Sequence, residues 1–127
     1  MISNSVPSDA TRSLKKTFNR GAIIAREGDE SKEIFILISG RIAVYKKLLK
    51  VAEIVEQGAV FGEISLLLGG KRNNSLIAAE DNTEVFILNT TLDNIVKDQQ
   101  LCKKLIYDLA NRLVRTTETL AMLDMEL

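Results

Sequence analysis

A short stretch in the middle of the chain carries the residues that could bind a small anion. Gly62 has no side chain to keep a ligand away from the backbone, and the apolar run 64–68 is about one helical turn long. The start of such a turn leaves backbone N–H groups without partners, which suits an acidic group. Arg72 would add a planar, charged fork for the same group. The stretch therefore predicts anion binding by backbone N–H groups and one guanidinium.

Simpler interpretations of the same stretch stay open. Glu63 and Arg72 could form a surface ion pair contributing about 0–1 kcal/mol, with Gly62 serving only a turn. Gly69-Gly70-Lys71 also resembles, superficially, the phosphate loop of nucleoside triphosphatases. That motif fails, because Ser65 stands where its first glycine belongs and Arg72 replaces the Ser or Thr that would hold magnesium. No catalytic constellation is visible, so an enzyme is not expected.

The composition argues against several classes of function. The 127 residues, 46% of them hydrophobic, suit one domain, and 17 basic residues balance 17 acidic ones. A neutral chain gives no electrostatic reason to bind nucleic acid or an anionic membrane. The lack of histidine and the single cysteine, Cys102, argue against a metal site, a Ser-His-Asp triad or an internal disulfide. No apolar run approaches the roughly 18 residues of a membrane span, and no signal-peptide core is present. We expect a cytoplasmic protein without a cofactor.

Glycines and short apolar runs organise most of the chain. The glycines at positions 21, 28, 40, 58 and 62 separate these runs, which is typical of an all-β barrel or sandwich. Strands are predicted at about 34–38, 42–44, 48–55, 75–79 and 83–88. The turn before the strand at 48–55 is placed near Lys46-Lys47. Upstream, Leu14 and Phe18 at i, i+4 spacing favour a short helix packed on the core. Residues 1–12 lack periodicity and are predicted to be a flexible arm, with 13–127 a single domain.

The C-terminal part is predicted to be helical. Thr90, three residues before Asp93, resembles a capping box at a helix start. Beyond it, residues recur at alternating spacings of four and three, an uninterrupted heptad seam. The seam residues expected at a parallel dimer interface are Ile106, Leu109, Leu113, Thr116, Leu120 and Leu123. Leu101 and Leu105 form a second apolar strip that could face the chain's own barrel. The alternative is that the seam itself packs on the barrel and forms no dimer.

An ordered set of residues resembles the cyclic nucleotide-binding domain family, over residues 18 to about 123. The set comprises Gly21, Gly28-Asp29, Ser39-Gly40, Gly58 and Phe61-Gly62-Glu63, followed by a Leu-Leu run and Arg72. The C-terminal helix, with Arg112-Leu113 and Thr116-Thr117-Glu118, is similar to that of bacterial catabolite-activator-type regulators, which continue into a DNA-binding domain. The resemblance implies a mainly β fold with flanking helices: a β-roll (a double-stranded β-helix or jelly roll) at about 18–89, and helices at about 91–127 that end in a long dimerisation helix.

The resemblance also implies roles for the central stretch. Gly62, Ile64 and Ser65 would offer N–H groups to the exocyclic oxygens of a cyclic phosphate, and Arg72 would neutralise its charge with a bond contributing about 1.5–3 kcal/mol. Glu63 would accept the ribose 2′-hydroxyl. The chain departs from the family at Asn73 and Asn74, where a small residue or threonine and then an alanine are usual. Asn73 could donate to the phosphate, whereas the bulkier Asn74 could narrow or close the pocket.

The same resemblance extends to the base and to the function. Thr116 and Thr117 match positions where catabolite-activator-type regulators bind adenine with hydroxyl groups, one from each subunit. The resemblance thus implies a cytoplasmic, homodimeric regulatory module that binds cyclic AMP, with cyclic GMP as a second possibility, and signals by moving its C-terminal helices. The alternative is a degenerate domain that acts only in dimerisation or protein docking. The candidate ligand-binding residues are Phe61, Gly62, Glu63, Ile64, Ser65, Arg72, Asn73, Asn74, Thr116 and Thr117.

Overall fold

The structure is a computed structural model that describes residues 12–126, with side chains for residues 13–125. Eight strands and three helices follow one another in this part of the chain. The strands are β1 (Arg12–Phe18), β2 (Ile23–Ala25), β3 (Ile34–Ser39), β4 (Ile42–Lys46), β5 (Leu49–Ile54), β6 (Val60–Phe61), β7 (Ser75–Ala78) and β8 (Thr83–Asn89). The helices are α1 (Ile64–Leu68), α2 (Leu92–Lys97) and α3 (Gln99–Glu126).

The described strands form two four-stranded antiparallel sheets. One sheet has the order β1-β8-β3-β6 and the other the order β2-β7-β4-β5. Except for the hairpin of β4 and β5, strands that are neighbours in sequence lie in different sheets, so the chain winds back and forth between the two layers. This arrangement is the predicted β-roll. It leaves β6, which precedes the candidate site, at the edge of its sheet.

The continuous apolar run of β3 is explained by burial on both of its faces. Phe35 and Leu37 point between the two sheets and join the core of the roll. Ile34 and Ile36 point to the opposite face, where they pack with α2 and α3 in a second core. That second core contains the Leu101 and Leu105 side chains, each 4% exposed, so the predicted packing of this strip on the chain's own barrel is confirmed.

The strand predictions agree with the structure over most of the roll, and one local prediction is wrong. Leu14 and Phe18 belong to β1, which pairs with β8 along its whole length, rather than to a short helix. A spacing of four residues fits one face of a strand as well as one face of a helix, so the pair could not distinguish the two. Residues 1–11 of the predicted arm lie outside the described residues, and the description begins with β1 at Arg12.

The N-cap of α2 lies one residue after its predicted position. Thr91, not Thr90, is the N-cap of α2: its backbone is extended and its Oγ1 accepts the Asn94 N–H at 3.2 Å. After Asp98 the chain continues as α3, whose 28 residues include every residue of the predicted dimer seam, from Ile106 to Leu123. Within the described part of the chain, no helix is both long and apolar enough to cross a membrane.

Candidate functional site

A cavity of about 900 Å³ lies between the β-roll and α3. A volume of this size accommodates a nucleotide, since small-molecule sites are generally about 300–1,000 Å³. Its walls come from β4 and β5, from the segment 59–65 that includes β6 and the start of α1, from 72–76, and from one face of α3. Every predicted ligand-binding residue except Thr117 lines it: Phe61, Gly62, Glu63, Ile64, Ser65, Arg72, Asn73, Asn74 and Thr116.

Glu63 is a completely buried carboxylate on the wall of this cavity. Its Oε2 accepts a hydrogen bond from Arg112 Nη1 at 2.8 Å. Its Oε1 is buried and has no hydrogen-bond partner among the described residues. A buried carboxylate oxygen left without a donor is costly, so the geometry favours a ligand that brings a hydroxyl or amide donor to this atom.

Arg72 is the buried cation of the cavity, only 4% exposed. Its guanidinium donates to the Gly62 and Glu33 carbonyl oxygens at 2.6 Å each and to Ser31 Oγ at 3.2 Å. It also lies over the Phe35 ring, 5.2 Å from its centre. The nearest carboxylate oxygen, Glu33 Oε1, is 3.9 Å from Nη2, a long ion pair. These contacts hold the guanidinium in place.

Burial affects the ionisation of Arg72. Desolvation lowers the pKa of Arg72 from its ordinary value, while the carboxylates of Glu33, Glu63 and Asp29 oppose this shift. An arginine stays charged at physiological pH even so. An anionic ligand in the cavity would therefore gain from a cation that is already desolvated and already held in place.

Gly62 allows the close approach on which this arrangement depends. Its φ of +78° lies in the region that favours glycine, and a Cβ there would lie 2.7 Å from Phe35 Cδ2 and 3.0 Å from Arg72 Nη1. The residue therefore lets Phe35 and Arg72 pack directly against the backbone that leads into Glu63. The sequence predicts glycine here because a ligand must approach the backbone. The structure adds a steric reason, the close packing of Phe35 and Arg72, which the neighbouring residues in the sequence do not indicate.

The short helix α1 confirms the predicted turn at 64–68. No side chain caps its N-terminus, and Glu63 occupies the N-cap position with its side chain directed to Arg112 instead. The Ser65 hydroxyl, predicted as an additional donor for a ligand, donates to the Ser31 carbonyl oxygen at 3.4 Å. Ser65 and Arg72 thus both contact Ser31.

Asn73 and Asn74, the two departures from the family pattern, stand on the cavity wall without filling it. Asn73 is exposed, and its carbonyl oxygen accepts a hydrogen bond from Lys46 Nζ at 2.9 Å. Asn74 is partly buried. The cavity remains open beside both amides, so the bulk of Asn74 does not close it.

Helix α3 supplies polar groups that the sequence reasoning did not select. Asp108, Asn111, Arg112, Arg115 and Thr119 all line the cavity. Val60 is held between two of them: its N–H donates to Asp108 Oδ2 at 2.9 Å, and its carbonyl oxygen accepts from Arg112 Nη2. A signal existed, because Asp108 and Arg112 continue the spacing of the Leu101 and Leu105 strip by three and then four residues. Polar residues on a strip that packs on the barrel indicate contact with polar groups there.

The two threonines of α3 have different positions. Thr116 lines the cavity, whereas Thr117 lies outside it and donates its hydroxyl to the Leu113 carbonyl oxygen at 2.9 Å. On the predicted dimer seam, Leu109 packs partly against the second core. The other large apolar seam residues are exposed: Ile106 by 61%, Leu113 by 68%, Leu120 by 62% and Leu123 by 54%.

The molecule belongs to the β-roll class. It has two facing antiparallel sheets, a long C-terminal helix that closes them, and one cavity that holds a buried carboxylate and a buried guanidinium. The sequence profile described as cyclic nucleotide-binding domain matches residues 15–98, and the chain belongs to that family. The resemblance and the predicted β-roll fold are both confirmed by this match and by the solved structures below.

Individual relatives show the same relationship. The chain is 30% identical to a cyclic nucleotide-gated channel of Caenorhabditis elegans over 98 residues, covering 72% of this chain and 13% of the channel. It is 31% identical to a cAMP-dependent protein kinase regulatory subunit of Dictyostelium discoideum over 97 residues, covering 72% of this chain and 29% of that subunit. The chain thus spans less than a third of either relative. Among solved structures, the catabolite activator protein of Thermus thermophilus aligns with a TM-score of 0.68 at 26% identity, covering 88% of this chain and 55% of that one.

Proposed function

We propose that this domain binds a cyclic nucleotide in the cavity between the roll and α3 and acts as a regulatory module. The observation that carries the proposal is the buried Glu63 Oε1, which lacks a partner among the described residues and lines the same cavity as the buried Arg72. A cyclic nucleotide has both complements: a ribose hydroxyl that donates and a phosphate with a single negative charge. Membership of the cyclic nucleotide-binding domain family supports the same conclusion.

The proposed contacts divide between sugar and phosphate. Glu63 accepts the ribose 2′-hydroxyl at Oε1, since its Oε2 is already occupied by Arg112. The backbone at Gly62, Ile64 and Ser65 and the charge of Arg72 stabilise the phosphate. Because the Arg72 guanidinium is held by carbonyl oxygens, the charge is in place before the ligand arrives and little side-chain entropy is lost on binding.

For the base, we propose adenine over guanine, and therefore cyclic AMP as the preferred ligand. Thr116 on the cavity wall offers a hydroxyl to the base edge. Thr117 does not line this cavity, and we propose that it serves the cavity of a second copy. The similarity to a cAMP-dependent protein kinase regulatory subunit of Dictyostelium discoideum supports the choice of cyclic AMP.

We further propose a homodimer through α3, with signalling by movement of this helix. The exposed apolar seam that includes Leu113, Leu120 and Leu123 would be covered by the same seam of a second α3. Ligand bound to Glu63 would favour one position of the helix, because the same carboxylate holds Arg112 of α3. The free Cys102 suits a reducing compartment, and we propose a cytoplasmic location.

Isothermal titration with cyclic AMP, cyclic GMP and acyclic 5′-AMP tests the proposal. We expect heat of binding for both cyclic nucleotides, tighter binding of cyclic AMP, and weak or no binding of 5′-AMP. The variant Arg72→Lys keeps a positive charge but loses the planar fork and is expected to bind much more weakly. Lys71→Ala, an exposed neighbour, is the matched control and should bind as the wild type does. A wild-type protein that binds neither cyclic nucleotide would overturn the proposal.

A second candidate function is dimerisation or protein docking without a ligand, which the exposed apolar face of α3 favours independently of the cavity. Under this hypothesis Leu113→Glu abolishes association through α3. Arg72→Lys changes neither this association nor the activity of a protein that contains the domain. Val114→Glu is a matched control, since Val114 is 54% exposed but lies off the seam. Sedimentation of the two α3 variants, with and without cyclic AMP, separates the candidate functions.

A further inference from the structure

The strand β6 lies at the edge of its sheet, beside α3. This strand pairs with β3 through Val60 opposite Ile36 and Phe61 opposite Phe35, and it has no strand on its other side in the described part of the chain. The Leu37 N–H donates to the carbonyl oxygen of Ala59, just before Val60, at 3.0 Å. Since backbone groups alternate in direction along a strand, the N–H and carbonyl of Val60 point away from β3, toward α3.

Both of these outward groups are bonded to side chains one helical turn apart on α3. Asp108 Oδ2 accepts the Val60 N–H at 2.9 Å, and Arg112 donates to the Val60 carbonyl oxygen. Residues i and i+4 of a helix are neighbours on its surface, so they can supply the acceptor and donor that an adjacent strand would offer. We call these two bonds to Val60 the edge clamp. Val60 is only 1% exposed, so neither group could be satisfied by bulk water.

We propose that Asp108 is a positioning residue for the ligand site, because it sets the register of α3 against β6. This inference rests on the proposed function. Arg112 also contacts Glu63, whereas Asp108 has no bond to any candidate ligand-binding residue; its other partner is Lys104 at 3.1 Å. The bond from Val60 to Asp108 links α3 to the backbone of the site, since Val60 lies two residues before Gly62 and three before Glu63.

The partners of Asp108 argue against direct contact with the ligand. Its side chain is 9% exposed on the cavity wall, and, unlike Glu63, it has a partner at each carboxylate oxygen. The Lys104 ammonium at Oδ1 and the Val60 N–H at Oδ2 offset the carboxylate charge. An acidic residue at this place is explained by the edge clamp and not by recognition of an anion.

The first test uses the free protein and does not depend on any ligand. In Asp108→Ala, amide exchange at Val60 and in the α3 segment 104–116 should rise by about tenfold or more, because a bond to a charged acceptor is lost. Exchange on the side of β3 that pairs with β8, at Ile36 for example, should change much less. Asp108→Asn keeps an oxygen that can accept the Val60 N–H and should restore most of the protection. Uniform loss of protection across both sheets, or no change at Val60, would overturn the inference.

The second test measures cyclic AMP affinity. Asp108→Ala should weaken binding by about tenfold, and Asp108→Asn by much less. Lys104→Ala removes the ion pair but leaves the bond to Val60, and it should bind within about twofold of wild type. Wild-type affinity in Asp108→Ala, or an equal loss in Lys104→Ala, would contradict the positioning role. If the wild-type protein binds no cyclic nucleotide, the proposed function fails, while the exchange measurement still decides whether Asp108 sets the register of α3.

Discussion

Arg112 Nη1 lies 2.8 Å from Glu63 Oε2, and the two side chains differ sharply in their contact with solvent. The Glu63 side chain is 1% exposed, whereas that of Arg112 is 37% exposed. The ion pair therefore compensates a desolvated carboxylate with a cation that keeps part of its hydration, and the loss of Arg112 would leave Glu63 buried without a partner. The same pair joins α3 to the backbone that carries the candidate phosphate site.

We therefore predict that Arg112→Met lowers the free energy of unfolding by about 1–3 kcal/mol. The variant leaves the buried Glu63 carboxylate and the Val60 carbonyl oxygen without the bonds that Arg112 makes to them. Adding Glu63→Gln should recover part of the loss, since the double variant no longer buries an unpaired charge. Urea denaturation followed by circular dichroism measures both values. Arg115→Met is the control, because Arg115 has no ion pair within the described residues and should change stability by less than about 0.5 kcal/mol. Equal effects of Arg112→Met and Arg115→Met would contradict the prediction.

A second prediction compares two glycines with nearly the same φ. Gly62 and Gly69 have φ values of +78° and +77°, but a Cβ at Gly62 would lie 2.7 Å from Phe35 Cδ2, whereas one at Gly69 would meet nothing within 4 Å. Gly69→Ala should cost about 1–3 kcal/mol of stability, because a φ of 77° with a ψ of 176° is a conformation that essentially only glycine adopts. Gly62→Ala should cost about 1–3 kcal/mol more, because Phe35 or Arg72 must move. Thermal unfolding of both variants measures the difference, and equal midpoints would show that the ring moves freely.

The roll and the candidate site were largely predictable because their signals are local. The strand pattern, the turn at Gly62 and the helix turn after Glu63 depend on neighbouring residues, and β3 was apolar throughout because both its faces are buried. The roles of Asp108 and Arg112 were not predictable in the same way. They depend on contacts with Val60 and Glu63 made across roughly fifty residues of sequence, and on β6 being an edge strand. A periodicity shows which face of α3 packs inward but not which backbone groups it meets.

A third prediction concerns acid stability at the β4–β5 hairpin. The Glu27 carboxylate accepts the Lys47 N–H at 2.8 Å and lies 3.1 Å from Lys46 Nζ, and these contacts lower the pKa of Glu27 from its ordinary value of 4.5. A group whose pKa is lowered by folding contributes stability above its unfolded pKa, and that contribution disappears as the pH falls through the folded value. Glu27→Gln should therefore be less stable than wild type at pH 7.

The two proteins should converge in stability as the pH falls below 4.5 and through the lowered pKa of Glu27. Chemical denaturation at several pH values gives the difference directly. Glu30 is exposed and lies, like Glu27, in the loop between β2 and β3. Glu30→Gln is the control, and its stability should match that of wild type at every pH. A difference between Glu27→Gln and wild type that stays constant down to pH 2 would show that the carboxylate charge is not responsible.

The last prediction joins the free oxygen of Glu63 to the sugar of the proposed ligand. If Oε1 accepts the 2′-hydroxyl, 2′-deoxy cyclic AMP should bind about tenfold or more weakly than cyclic AMP, since a buried acceptor is left unpaired. In Glu63→Gln the amide loses the charge of the acceptor, so the preference for the ribose form should shrink to a fewfold. Glu63→Gln and removal of the 2′-hydroxyl act on one hydrogen bond. Their effects on the binding free energy should therefore be non-additive in a double-mutant cycle that combines the protein variant with the deoxy ligand. Independent effects would remove Glu63 from the sugar contact and restrict its role to holding Arg112.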